Sequence, residues 1–355
     1  MEFFRWNIAA MLVGLMLDFL VGDPEGWPHP VIFIGRYISW MEKRLRARGG
    51  NLRVSALWLT ASTVLLSMLC CAAVLLLLSF LGRAALFAGM CVVSWTALSA
   101  KCLAREGRGV MKALERSVED GRKQVARIVG RDTARLSADE IVRATVETVA
   151  ENASDGVLSP MLYLALGGPV LAMGFKAAST LDSMVGYLDE KYRDIGWASA
   201  KLDDALNYLP ARLTGLLMCA AAFLTGMDGR SALRVMRRDH ANHLSPNCAW
   251  PESAAAGALG VRLGGTHEYF GKTVVKPTIG VAALMSIRSG LMVFDYVKAT
   301  TNGGPANATT TIAVSIYKHA FTDMKFAYSS AESIMIFIVI MLVALVQIKL
   351  VQERD

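Results

Sequence analysis

VSALWLTASTVLLSMLCCAAVLLLLSF, residues 54–80, carries no charged side chain. The run is longer than the roughly 20 apolar residues a helix needs to cross the hydrocarbon core of a bilayer. A second apolar run, 84–100, follows after only Gly82-Arg83, so the two read as a helical hairpin. Residues 331–349, AESIMIFIVIMLVALVQIK, make another good span, and 7–22 and 281–297 are shorter ones. The first apolar stretch leads into Asp18 and a Gly/Pro turn rather than a small-residue cleavage site, so no removable signal is expected. These runs predict an all-α polytopic integral membrane protein.

Composition agrees. Of 355 residues, 54% are hydrophobic and 19% charged, against about 25% charged in a soluble domain. The net charge of +7 sits beside the apolar runs, in EKRLRAR (42–48), in 101–131 and in RVMRRDH (234–240). Basic flanks of this kind mark the cytoplasmic side. No aromatic side chains interleave with them, so no nucleic-acid partner is expected. If the basic loops after 22, 103 and 228 share one side, residues 157–177 and 209–227 either both cross or neither does. Both contain Gly or Pro and a cation, Lys176 or Arg212. The expected arrangement is a helical bundle in which these two are re-entrant or buried half-helices, with polar loops on the cytoplasmic face. Irregular backbone at that depth must line protein or water. Cys70, Cys71, Cys91, Cys102 and Cys219 lie in or beside apolar helices with no C-x-x-C, so neither zinc nor a disulfide framework is indicated.

Four blocks hold more acids and amides than membrane-side loops need. DFLVGDPEGWPHPVIFIGRYISWMEKRLR, 18–46, has turn chemistry at Asp23-Pro24 and Pro28-His29-Pro30, then an amphipathic helix with Arg36 and Glu42. In VETVAENASDGVLSP, 146–160, a helix over 139–152 would put Arg143, Glu147 and Glu151 on one face at i, i+4, i+8. Asn152 and Asp155 would follow at its end, before Gly156. Carboxylates so close to an apolar segment are costly unless paired or metal-bound. The third block, 179–215, sets Asp182 in apolar surroundings, then Lys191-Tyr192-Arg193, then Asp203-Asp204 and Asn207 on a helix ending before Pro210. Adjacent acids with an Asn one turn on suit Mg²⁺, which takes one or two carboxylates plus substrate phosphates; two Asp at a helix start are also ordinary capping. The fourth, 237–265, offers Asp239, His240, His243, Ser245, Asn247 and Glu252 as a polar pocket wall, and a Gly-rich tail near Arg262. No G-x-x-x-x-G-K-[ST] occurs, so a nucleotide would not be held by a P-loop.

In order, GDPEGWPHPVIFIGR, TVETVAENASDGVLSPMLYLALGGP, TLDSMVGY, YRDIGWASAKLDDALNYLPARLTG and SPNCAWPESAAAGALGVRLGG resemble the adenosylcobinamide-phosphate synthase family of cobalamin biosynthesis. The resemblance covers about residues 7–280. It implies a cell-membrane enzyme, active on its cytoplasmic face, that joins aminopropanol, as its phosphate, to a propionate carboxyl of a corrinoid acid. ATP and Mg²⁺ would drive the amide formation. On that basis Glu147, Glu151, Asp155 and Asp182 are the expected catalytic acids, and Asp203, Asp204 and Asp155 the metal-holding ones. Asn152, Lys176, Lys191, Arg193, Asn207, Arg212, His243, Ser245 and Asn247 would bind the substrates. Lipid is the surrounding partner and an oligomer is open.

The tail differs. VFDYVKATTNGGPANATTT, 293–311, resembles the C-terminal part of sugar-type ABC transporter permeases, without that family's coupling-loop motif upstream. A synthase-like domain is therefore expected over 1–280 and a two-helix appendage over 281–355, with a transporter component as the alternative function.

Overall fold

The structure, a computed structural model, describes residues 2–24, 26–187, 189–243, 245–264, 266–269, 272–275, 311–327 and 329–335. The expected spans at 281–297 and most of 331–349, the permease-like motif up to 310 and the domain boundary at 280 lie outside them. The chain divides into two compact units, Met1–Leu263 and Gly264–Asp355.

The first unit is helical throughout its described regular structure. Its helices are α1 (Glu2–Leu20), α2 (Pro30–Arg48), α3 (Leu52–Phe80), α4 (Arg83–Ala97), α5 (Ala100–Arg116), α6 (Val118–Val125), α7 (Ala138–Ala153), α8 (Ser159–Val185), α9 (Trp197–Leu206), α10 (Tyr208–Leu224), α11 (Gly229–Asp239) and α12 (Ala249–Leu259). In the second unit a short antiparallel hairpin, β1 (Thr266–Tyr269) with β2 (Lys272–Val275), pairs Thr266 with Val275. A helix α13 (Ile312–Tyr317) runs on into a π turn, Lys318–Thr322. The hairpin is a small departure from the all-α expectation; the architecture is that of an all-α membrane protein.

Three helical runs among the described residues are long and apolar enough to cross a membrane: Leu52–Phe80, Arg83–Arg116 and Ala138–Val185. Only 17% of the apolar window of α3 is buried. Leu57, Trp58, Leu65, Leu69, Leu76 and Phe80 are exposed along it. Such a contiguous apolar face is stable only against lipid or another chain. On its other side α3 packs with α8, α2 and α4, while α1 packs with α4 and α8. Small residues allow the close approach: a Cβ on Gly14 would lie 2.8 Å from the Trp95 backbone nitrogen of α4. Ile34, Ile38, Leu59, Leu75, Leu181 and Ile195 share the resulting core.

Two smaller layers complete the unit. α5, α6 and α7 close around Val110, Val125, Ile141 and Ala144. α10, α11 and α12 close around Cys219, Ala222, Ala232, Met236 and Ala254. Asp18, buried at the end of α1, accepts hydrogen bonds from the Ala100 and Lys101 amides and so caps α5.

The two ambiguous stretches fold differently from each other. Residues 157–177 lie within the Ala138–Val185 run, but Gly168 (φ 67°, ψ −163°) breaks α8 before Pro169. Only glycine adopts that conformation without strain, and a Cβ there would also strike the Asn7 side chain at 2.6 Å. α10 has 17 residues, short of the roughly 20 a span needs.

Candidate active site

The acidic motif lies where α7 passes into α8. Ser137 and Glu140 form a capping box that starts α7. The helix expected over 139–152, with Asn152 and Asp155 at its end, instead continues through a π segment, Ser154–Leu158, straight into α8. Gly156 keeps a helical neighbourhood because its carbonyl accepts from both the amide and the hydroxyl of Ser99, each at 3.0 Å. The π segment fits one extra residue into the helix, a distortion frequent at functional sites, and it carries Asp155.

Asp155 stands within electrostatic range of Asp203, Glu151 and Asp182, and of Lys176 as the opposing cation. Asp182 in turn feels Asp204 and Glu151. Five of the expected acids, from α7, the π segment, α8 and α9, therefore meet. Lys176 is also within range of Asp23 and Asp18, so the loop after α1 reaches the same place. His29 caps α2, accepting from the Val31 amide, and burial lowers its pKa.

A buried hydrogen-bond chain holds Asp203. Ser159 Oγ donates to Asn207 Oδ1 at 2.7 Å, and Asn207 Nδ2 donates to Asp203 Oδ2 at 3.0 Å. Ser154 Oγ lies 3.4 Å from Ser159 Oγ, and both serines and Asn207 are buried. Asp203 Oδ1 is buried with no hydrogen-bond partner. Burial, and then the Asp182 charge, push its carboxyl up to about 7 against the lowering effect of Asn207. Asp203 and Asp204 sit in the C-terminal half of α9, so the capping alternative does not apply.

Asp204 anchors the fourth block. Its carboxylate pairs with Lys201 at 3.1 Å and accepts from Ser245 Oγ at 3.5 Å; its carbonyl accepts from Asn247 Nδ2 at 2.8 Å. His243 Nδ1 accepts from the Ser245 amide. Arg212 donates to Asn247 Oδ1 at 3.5 Å and lies between Tyr208 and Trp250, its guanidinium 3.4 Å and 4.9 Å from the ring centres. Ser245 and Asn247, two of the residues expected to wall a polar pocket, thus stand beside Asp204, with Arg212 next to them.

Other expected residues stand elsewhere. Glu147 forms an ion pair at 3.0 Å with Arg131, a residue of the loop before α7, both side chains 6–7% exposed. One helix face carries Glu147 and Glu151, as the spacing requires, but the α6–α7 loop covers the first and α12 the second. Asn152 donates to the Thr148 carbonyl of its own helix. Lys191 and Arg193 are exposed in the α8–α9 loop, where Arg46 of α2 donates to the Lys191 carbonyl. Among the described residues no three His, Cys, Asp or Glu side chains are gathered closely enough to hold a metal by themselves.

Residues 11–291 match the CobD/Cbib protein family. The chain belongs to that family. It is 48% identical over 268 residues to cobalamin biosynthesis protein CobD of Listeria monocytogenes serotype 4b, covering 75% of this chain and 85% of the relative. With CobD of Geobacter metallireducens it shares 49% over 273 residues, 77% and 86% of the two chains. With CbiB of Salmonella arizonae it shares 45% over 293 residues, 78% and 88%. No solved structure matches the chain. Every member of the acidic cluster lies inside the family match.

Three partners of the expected residues carry little signal in the sequence: Cys248, Ser159 and Arg131. Cys248, the one cysteine outside the apolar helices, donates to Glu151 Oε1 at 2.9 Å, and burial together with Glu151 and Asp155 raises its thiol well above the usual range. Ser159 looks like a helix-start serine and Arg131 like one more basic flank. Only Cys248 gave a signal, as a thiol in a polar loop beside Glu252.

The raised Asp203 carboxyl predicts an inverse effect on stability. Its folded pKa of about 7 exceeds the roughly 3.9 of an unfolded Asp. The protonated form is thus favoured on folding, and this contribution, complete below about pH 4, is lost as pH rises through about 7. Asp203→Asn should melt above the unsubstituted protein at pH 8, with the gap narrowing as pH falls to 5 and closing below about pH 4. Thermal unfolding in detergent without divalent cations measures it; equal shifts at both pH values would refute it.

Proposed function

We propose that the chain is an ATP-dependent amide ligase of cobalamin biosynthesis, attaching aminopropanol, as its phosphate, to a propionate carboxyl of adenosylcobyric acid. The observation that carries this reading is the convergence of Glu151, Asp182 and Asp203 on Asp155, with Lys176 as its opposing cation, inside the region shared with relatives named for cobalamin biosynthesis. In such a reaction the propionate oxygen takes the γ-phosphoryl of ATP, releasing ADP. The amine then displaces phosphate from the acyl carbon and loses a proton.

The residues match these needs. Lys176, held among Asp155, Asp23 and Asp18, neutralises charge on a transferring phosphoryl group. Glu151 and Asp155 accept the proton of the attacking amine. Asp203 Oδ1, a buried carboxylate oxygen without a partner, fits Mg²⁺, which needs one or two carboxylates when substrate phosphates complete its shell. Mg²⁺ there would supply charge neutralisation to the phosphates. Arg212, His243, Ser245 and Asn247 line the side on which the corrinoid or the amine phosphate enters. Glu147, paired with Arg131, is assigned to structure rather than chemistry.

The decisive experiment supplies membranes from a cobinamide-synthase-deficient host expressing this chain with adenosylcobyric acid, aminopropanol phosphate, ATP and Mg²⁺. A corrinoid amide and ADP in equal amounts are expected; their absence from membranes containing folded protein would overturn the reading. We also assign the active face to the cytoplasmic side of the cell membrane and residues 281–355 to an appendage outside the chemistry. Cysteines at Ser183, Lys201 and Ala241, all exposed, should then react with an impermeant maleimide only in inside-out vesicles. Labelling of intact cells at any of them would place that loop outside.

A further inference from the structure

The basic helix α11 lies apart from the acidic cluster. Arg230, Arg234 and Arg237 line a groove of about 360 Å³ together with Leu233 and with Phe223 of α10. The arginines fall at i, i+4 and i+7 and so share one helix face. All three are exposed, and none makes an ion pair with a described residue; the neighbouring Arg238 differs in being paired with Asp239 at 2.7 Å. Three unneutralised guanidinium groups within one groove repel each other unless an anion joins them.

The other half of the surroundings is apolar. Leu216, Leu217, Phe223 and Leu224 are exposed on α10, Leu224 to 88%, and Phe223 and Leu233 enter the groove itself. A free phosphate, a nucleotide or a nucleic acid would leave that surface uncovered. A phosphodiester with hydrocarbon attached satisfies both halves, and a basic helix beside exposed leucines is how interfacial helices meet anionic bilayers.

We propose that the α10–α11 groove binds the headgroup of an anionic phospholipid, with its acyl chains along the exposed face of α10. The inference stands independently of the ligase reading, since none of these residues belongs to the acidic site.

The test uses the full chain in nanodiscs of phosphatidylcholine, alone or with phosphatidylglycerol, followed by native mass spectrometry of lipid retained after release into detergent. The unsubstituted protein should retain phosphatidylglycerol selectively, and millimolar inorganic phosphate should not displace it. At roughly fivefold per arginine, Arg230→Gln/Arg234→Gln/Arg237→Gln should weaken retention about a hundredfold, and Arg234→Gln alone about fivefold should the triple variant not fold. The corresponding triple lysine variant should retain most of the lipid. Equal retention of the two lipids, displacement by inorganic phosphate, or unchanged retention in the folded glutamine variants would each overturn the proposal.

Discussion

Replacing Asp155 by Asn, or Glu151 by Gln, is expected to lower turnover at least about 10²-fold while leaving expression and membrane insertion intact. Both side chains sit in the crowd of carboxylates at the α7–α8 junction. Neither anchors a helix: Asp155 accepts no hydrogen bond from a described residue, and Glu151 accepts one from the Cys248 thiol. Neutralising one of several crowded carboxylates relieves repulsion, so folding should not suffer. What is lost is a proton acceptor or a charge aimed at the reacting groups, and each 1.4 kcal/mol of lost transition-state stabilisation costs about tenfold in rate. Turnover per mole of purified, folded variant is the measurement. Near-normal turnover in both would show that the acids are held for structure alone.

Glu147→Gln should do the opposite. Its partner Arg131 is as buried as Glu147 itself, at 3.0 Å. Removing one side of a buried ion pair leaves the other charge desolvated without its 3.0 Å counter-ion, at a cost of up to about 3–5 kcal/mol. For a chain of ordinary stability that is a large share of the whole. The variant is expected to express poorly and melt many degrees lower, with normal turnover in whatever folds. Arg131→Met should behave similarly, and Glu147→Leu/Arg131→Met should recover much of the loss, because replacing both charges removes the stranded one. A Glu147→Gln protein of full stability and little activity would return this residue to the chemistry.

These opposed outcomes come from residues four apart on one helix face, a relation the sequence alone made visible. The uncharged run 54–80 requires a membrane helix because hydrocarbon offers backbone groups no partner, and that physics needs no tertiary information. Likewise the density of Asp, Glu and Asn in 145–160 and 179–215 marked the two segments that meet, since acids beside apolar runs are too costly to be there idly. Helical spacing placed Glu147 and Glu151 on a common face. It could not say that the α6–α7 loop, bringing Arg131, would cover one while Cys248, just before α12, would cover the other. Nor could it show that Gly156 continues a helix, because what satisfies its carbonyl is Ser99, 57 positions away in sequence. The surroundings of the two adjacent acids were hidden for the same reason: Lys201 and Ser245 take up Asp204, while Ser159 and Asn207 orient Asp203 and leave one oxygen bare. Local patterns fix which residues are too polar for their surroundings; which of them are neutralised, and which stay open for chemistry, depends on partners that only the packing of distant helices supplies.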